Sequence, residues 1–434
     1  MHVLEEGITE EAEQMKNVKA SEIKAGLLAN LHYFFKWLLI SVLIGSIGGV
    51  AGTIFSYGVA WATDFRLSNR YMLFYLPAAG LLIIWMYRTF HEEGNRGTNM
   101  VIDAISSNEK VTAATGPLIF VSTILTHLTG GSAGREGAAL QLGGSIGNSL
   151  GHVMRLDEKD EKIAIMCGMS AVFAALFGTP VAAGVFSLEV VSIGVLYYAA
   201  LVPCIFSAYI GVGIARVAGL PGERFLIGSI PPVTIGTAAL IVILGILCAG
   251  VSIVFCIMLH YSEYGYRRFF PNPYIRILAA SGIFIVLTLL AGTREYCGSS
   301  MQLIESSIEG KAQYEAFFLK MIFTAVTLGA GFKGGEIVPT LCVGAAFGCA
   351  MGRFMDFSPS LCSACGMAAL FAGVTNCPIT SLIIALELFG YEGMEYFSII
   401  IAVSFALSGY YGLYASQKFV YSKTKTEFIN RRSR

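Results

Sequence analysis

The chain carries one apolar pattern twice, and that duplication narrows its fold more than any other feature. Cys167-Gly168-Met169-Ser170-Ala171-Val172-Phe173-Ala174 aligns without gaps on Cys365-Gly366-Met367-Ala368-Ala369-Leu370-Phe371-Ala372, 198 positions later. The same offset pairs Pro180 with Pro378, Leu188 with Leu386 and Glu189 with Glu387. At an offset of 201, Gly130, Gly134, Gly143, Gly147 and Gly151 fall on Gly331, Gly335, Gly344, Gly348 and Gly352. Glycine-rich apolar sequence matches itself easily, but the gapless Cys-Gly-Met start and the shared Pro-to-Glu spacing speak against coincidence. Two homologous halves in a membrane chain mark a transporter fold whose binding site lies at the repeat interface. The sequence leaves open whether the halves are inverted, which depends on an odd number of spans in the first; inversion is the expectation.

That the chain is a membrane protein follows from composition. Of its 434 residues 55% are hydrophobic and 13% charged, which places it among polytopic α-helical membrane proteins. Apolar runs at 37–59, 71–87, 238–259, 277–290 and 321–330 include several long enough to cross a bilayer. Others, at 138–150 and 339–351, are short or broken by glycine and predict helices that stop part-way. A formal net charge of zero gives no basic surface for nucleic acid. From Lys418 onward six Lys or Arg oppose one acidic residue, so the tail is expected in the cytoplasm and the protein in the plasma (inner) membrane. The chain is expected to divide into a cytoplasmic segment 1–33, a transmembrane domain 34–417 and a basic tail 418–434. The repeats run from about 34 to 220 and from about 235 to 417. Up to about residue 24 the mixed Glu and Lys pattern predicts a soluble amphipathic helix rather than a signal peptide. The ten cysteines are read as packing residues; Cys362 and Cys365 have no histidine cluster nearby, so no metal, disulfide or other cofactor is implied.

The chemistry sits at three glycine-marked breaks. Gly130-Gly131-Ser132-Ala133-Gly134-Arg135-Glu136-Gly137-Ala138 puts a carboxylate at membrane depth, a functional hypothesis by default. The others are Arg96-Gly97-Thr98-Asn99-Met100 and Gly331-Phe332-Lys333-Gly334-Gly335-Glu336-Ile337-Val338-Pro339. If the three helix N-termini converge, their free N–H groups and partial charges make an anion site. Partial charges at weak sites let an ion leave again, where full neutralisation would trap it.

These residues identify the chain as a member of the CLC family of anion channels and proton-coupled antiporters: Gly-Arg-Glu-Gly, the later Gly-x-x-x-Pro break and the duplicated halves. The resemblance covers about residues 37–421. It implies a homodimer with one ion path per subunit, broken helices meeting at a midplane site, and Glu136 as the gating and proton-coupling glutamate. Gly134, Arg135 and Gly137, with Gly97, Thr98, Asn99 and Met100, and with Gly335, Glu336 and Ile337, fall on the anion-binding breaks. Lys418-Phe419-Val420-Tyr421-Ser422 resembles the segment bearing the pore tyrosine, making Tyr421 the candidate for that role.

The departures point to a branch. Chloride-type members carry Gly-Ser-Gly-x-Pro at the first break; here Asn99, or Met100 after a one-residue shift, replaces the serine. The second motif ends in Ala138 rather than proline, and the third has Gly335-Glu336-Ile337 where the chloride type has Gly-x-Phe. This pattern resembles the fluoride-exporting branch. The family's internal proton-transfer glutamate falls on Val190, beside Glu189. That branch couples transport to protons without it, so the function implied is fluoride export driven by inward proton movement. The alternative is a chloride or nitrate transporter or channel of the same fold. An intramembrane enzyme using Glu136 would want a nucleophile or metal ligands beside it, and none is present. Glu189 and Glu387 read as helix-capping or interface carboxylates, Arg135 as paired with an acidic group, Lys333 and Glu336 as a local pair, and His127 as a satisfied core histidine.

Overall fold

The computed structural model describes residues 2–107, 109 and 111–433, with side chains from residue 22 onward. The amphipathic character expected up to about residue 24 therefore lies largely outside the described side chains. Among the described residues the first half forms α1 (His2–Ser68), α2 (Leu76–Thr89), α3 (Thr98–Ser106), α4 (Thr115–Thr129), α5 (Glu136–Val153), α6 (Glu158–Phe177), α7 (Pro180–Glu189) and α8 (Leu201–Val217). The second forms α9 (Ile235–Phe269), α10 (Pro273–Ala291), α11 (Met301–Ile308), α12 (Ala316–Ala330), α13 (Ile337–Phe354), α14 (Pro359–Thr375), α15 (Pro378–Phe389) and α16 (Met394–Leu407). A small sheet joins β1 (Ser192–Ile193), β2 (Lys418–Tyr421) and β3 (Phe428–Arg432), in that order. Six of these segments are long and apolar enough to cross a bilayer. No helix break marks the boundary expected at residue 34, because α1 runs through it.

Two sets of hydrogen bonds fix how the halves are related. Gly134 and Gly335, equivalent in the repeat, each donate an N–H to the other's carbonyl at 2.7 Å. Equivalent residues pair in this reciprocal, antiparallel way across a two-fold axis. The glutamates follow the same operator. Glu189, at the end of α7, accepts from Ile379 N and Thr380 N at the start of α15, at 3.1 and 2.8 Å. Glu387, near the end of α15, accepts from Val181 N and Ala182 N at the start of α7, at 3.1 and 2.9 Å. Each carboxylate satisfies orphan amides and complements the positive end of the partner helix. Because α7 and α15 are antiparallel copies, the two repeats run in opposite senses: they are inverted.

The glycines expected to break 138–150 and 339–351 do something else. α5 and α13 are continuous 18-residue helices, and their glycines let α6 and α14 approach backbone to backbone. A Cβ on Gly143 would lie 2.2 Å from the carbonyl of Gly168, and one on Gly344 would lie 2.4 Å from that of Gly366. Small residues at such crossings allow the close packing on which helix association in lipid depends.

Candidate anion and proton site

Each of the three breaks ends at a helix start. Gly97 takes φ +65°, a turn a side chain would resist, and leads into α3 at Thr98. Glu136 is the first residue of α5, and Ile337 is the first of α13, with Pro339 in a turn whose N–H would have no helical partner. The three starts meet at Gly137. Thr98 Oγ1 donates to the Gly137 carbonyl at 3.3 Å, and Gln141 Nε2 donates to it at 3.2 Å. A Cβ on Gly137 would come within 2.9 Å of both Glu336 Oε2 and Gly335 Cα. Only glycine fits that crossing, and the amide-rich ends of α3, α5 and α13 are gathered around it.

The two carboxylates behave differently. Glu136 is 1% exposed, and its Oε2 accepts from Arg135 N at 2.9 Å, so the side chain folds back onto its own helix start. Arg135 reaches outward: Nη2 pairs with Glu223 at 2.9 Å, Nη1 donates to Ser56 Oγ at 3.1 Å, and Nε lies 3.4 Å from Glu136. This is the acidic pairing expected of it. Glu336 Oε2 is buried with no hydrogen-bond partner among the described residues. The local pair expected between Lys333 and Glu336 does not form. Lys333 Nζ sits 4.4 Å from the ring centre of Tyr87 instead, where the π-face takes the cation.

Asn99 and Met100 separate. Asn99 Oδ1 accepts from Ser416 N at 3.0 Å, which turns its N–H2 away from that contact, and Asn99 lines a cavity of about 390 Å³ together with Gly97, Gln141, Lys333 and Glu336. Met100 packs against the hydrophobic core. Tyr421 is not brought to this place. It is 47% exposed in β2, its ring edge-on to Phe428, and it lines a separate cavity beside Glu189 and Lys423. The reason is local: residues 418–421 pair with β1 and β3, which holds that stretch at the edge of the helical body.

Other residues were missed. Tyr414, 1% exposed, has a hydroxyl without a partner among the described residues. Lys320 is wholly buried in α12, and its Nζ donates to Ser132 Oγ at 2.9 Å and to Ser300 Oγ and the Gly298 carbonyl at 2.8 Å, pinning the loop that precedes Glu136. A lone lysine in the apolar run 316–330 was a readable signal; Tyr414 had none. His127 is only half satisfied, with Nδ1 2.9 Å from the Thr123 carbonyl and Nε2 without a partner among the described residues.

The comparisons agree with this geometry. The sequence profile of the voltage gated chloride channel family matches residues 79–409. A protein of Pseudomonas syringae pv. tomato named chloride/fluoride channel protein is 31% identical over 400 residues, 91% of this chain and 88% of that one. The H(+)/Cl(-) exchange transporter ClcA of Yersinia pestis is 26% identical over 385 residues, 81% and 80% of the two chains. Among solved structures, a CLC-type fluoride/proton antiporter superimposes with a TM-score of 0.85 at 30% identity, covering 88% of this chain and 98% of that one. A slow cyanobacterial Cl-/H+ antiporter reaches 0.73 at 19% identity over 86% and 94%, a likeness of fold alone. With the profile spanning most of the chain and that relative matched nearly end to end, the protein belongs to the CLC (voltage gated chloride channel) family of multi-pass membrane proteins.

Proposed function

We propose that the protein is a fluoride/proton antiporter: a homodimer in the plasma membrane, tail in the cytoplasm, that exports fluoride as protons enter. The observation that carries this reading is the pair of unlike carboxylates at the joined helix starts, Glu136 folded on an amide and Glu336 Oε2 unpartnered beside Gly137. A carboxylate accepting from a helix-start amide occupies the place an anion would take, so ion entry and Glu136 protonation compete. When Glu136 is protonated its charge is gone and the amide is released to the anion. Fluoride is small and strongly hydrated, and its water must be replaced by donors; the second N–H of Gln141, the N–H2 of Asn99 and the Tyr414 hydroxyl are candidate donors, while the Thr98 hydroxyl is already given to the Gly137 carbonyl. Hydrogen fluoride crosses membranes uncharged and ionises inside, which makes an exporter useful.

Efflux from liposomes decides the anion: fluoride should leave much faster than chloride at matched gradients, with protons moving the other way. Chloride efflux equal to or faster than fluoride efflux would replace this reading with that of a chloride transporter, the activity named for the Yersinia relative.

A further inference from the structure

The cavity at the helix starts opens past a group of cations. Arg96, Arg267, Arg276, Lys333 and Arg432 all line it. Two are neutralised: Arg96 lies 3.1 Å from Asp103 and also pairs with Glu109, and Arg267 lies 2.7 Å from Glu263. Arg276 Nε donates to the Ala330 carbonyl at 3.1 Å, and Lys333 sits over Tyr87. Arg432 makes no ion pair among the described residues.

Arg432 differs from the others in coming from the basic tail, which the sequence marked only as a sign of orientation. Pairing of Lys418 with Arg432 and of Phe419 with Arg431 joins β3 to β2, and β2 runs parallel to β1 just past α7. Ser433 N then donates to the Gln417 carbonyl at 2.9 Å. Successive side chains of a strand point to opposite faces. Arg431 turns to the ring of Tyr410, 5.2 Å away, while Arg432 faces the cavity alongside Ser416. Two neighbouring arginines are thus sorted by strand geometry, one to packing and one to the mouth.

We propose that Arg432 is an anion-capturing residue at the tail-side mouth: its unpaired charge raises the local concentration of small inorganic anions and so sets KM at that face. It acts before the helix starts are reached, so it leaves the maximal rate alone. Fluoride as the anion, and the cytoplasm as the side, rest on the function proposed above; the capture role does not.

The test uses the full chain in inside-out and right-side-out membrane vesicles, with uptake measured against concentration of whichever halide the wild type carries. A wild type that carries chloride rather than fluoride overturns the function proposed above and leaves this test intact. At low ionic strength Arg432→Gln should raise KM about threefold from one face only, and Arg432→Glu more, with Vmax unchanged. Adding potassium gluconate to about 0.5 M should bring all variants together, since the screening length then falls to a few ångströms. Arg432→Lys and Arg431→Gln should follow the wild type. Unchanged KM in both Arg432→Gln and Arg432→Glu overturns the proposal, as does an equal effect of Arg431→Gln, or a loss of Vmax that salt does not remove. Arg432→Lys guards against misfolding, because it keeps the charge: a variant that loses transport with the charge retained assigns Arg432 to structure, and that too overturns the proposal.

Discussion

The two joined helix starts descend from one repeat, yet they do different chemistry. Gly134 and Gly335 mark the same place, so Arg135 corresponds to Glu336 and Glu136 to Ile337. In the first repeat a cation anchored to Glu223 and Ser56 holds the loop, and the carboxylate beyond it is satisfied by Arg135 N. In the second the anchoring position is itself a carboxylate with an oxygen left without a partner among the described residues, and the next position is a buried isoleucine. A buried unpaired oxygen is costly and marks a place awaiting a proton or a donor. The duplicated backbone supplies two positive helix ends back to back, and the side chains break that symmetry.

Removing the titration of each carboxylate in turn separates the two helix starts most strongly. Glu136→Gln keeps size and hydrogen bonding but cannot carry a proton, and we expect proton-driven fluoride movement to fall by at least about 100-fold. Normal coupled exchange in that variant would take Glu136 out of the mechanism. Glu336→Gln should cost less, about tenfold in fluoride turnover, because only one unsatisfied oxygen is altered. Equal losses in the two would mean that the helix starts act as one symmetric unit. Wild-type turnover in Glu336→Gln would make its bare oxygen incidental.

What could be read from the sequence was what is local. The helix starts and the shared Pro-to-Glu spacing each lie within a short stretch, and the repeat is a match between two such stretches. Gly143 and Gly344 were visible but misread, because a glycine that ends a helix and one that admits a neighbour look alike until the neighbour is placed. The tyrosine was lost for a different reason. Tyr414 and Tyr421 are seven positions apart, and which one is buried and which exposed depends on β1 holding β2, a contact between residues 192 and 418. Lys333 pairs with a ring on α2 rather than with its sequence neighbour, again a contact that only the folded chain supplies.

In packing, unlike in chemistry, the two repeats are alike. Gly143→Ala and Gly344→Ala each drive a methyl into a carbonyl of the facing helix, and we expect both to lower stability by about 2–3 kcal/mol. Gly282→Ala, in α10 with nothing within 4 Å of its would-be Cβ, is the control and should be neutral or slightly stabilising. Thermal unfolding in detergent, followed by size-exclusion, reads all three. A large loss at one site only would show that the two crossings are not equivalent in the assembled protein.

The smallest effect concerns Glu189 and Glu387, and it bears on how protons reach the tail side. By the family resemblance Val190, buried and apolar, is expected at the place of the chloride-type internal glutamate, which makes Glu189 the obvious substitute. Its hydrogen bonds argue otherwise. Both oxygens are engaged by Ile379 N, Thr380 N and the Thr380 hydroxyl, as those of Glu387 are by Val181 N and Ala182 N. A capping carboxylate is worth about 1 kcal/mol, and an amide keeps an acceptor oxygen there. We therefore expect Glu189→Gln and Glu387→Gln to lose similar, small amounts of stability, and a fluoride gradient to pump protons uphill in both as in the wild type. Loss of proton movement in Glu189→Gln alone, with fluoride still flowing, would turn this cap into the inner proton relay and make the first repeat functionally unlike the second at a second place.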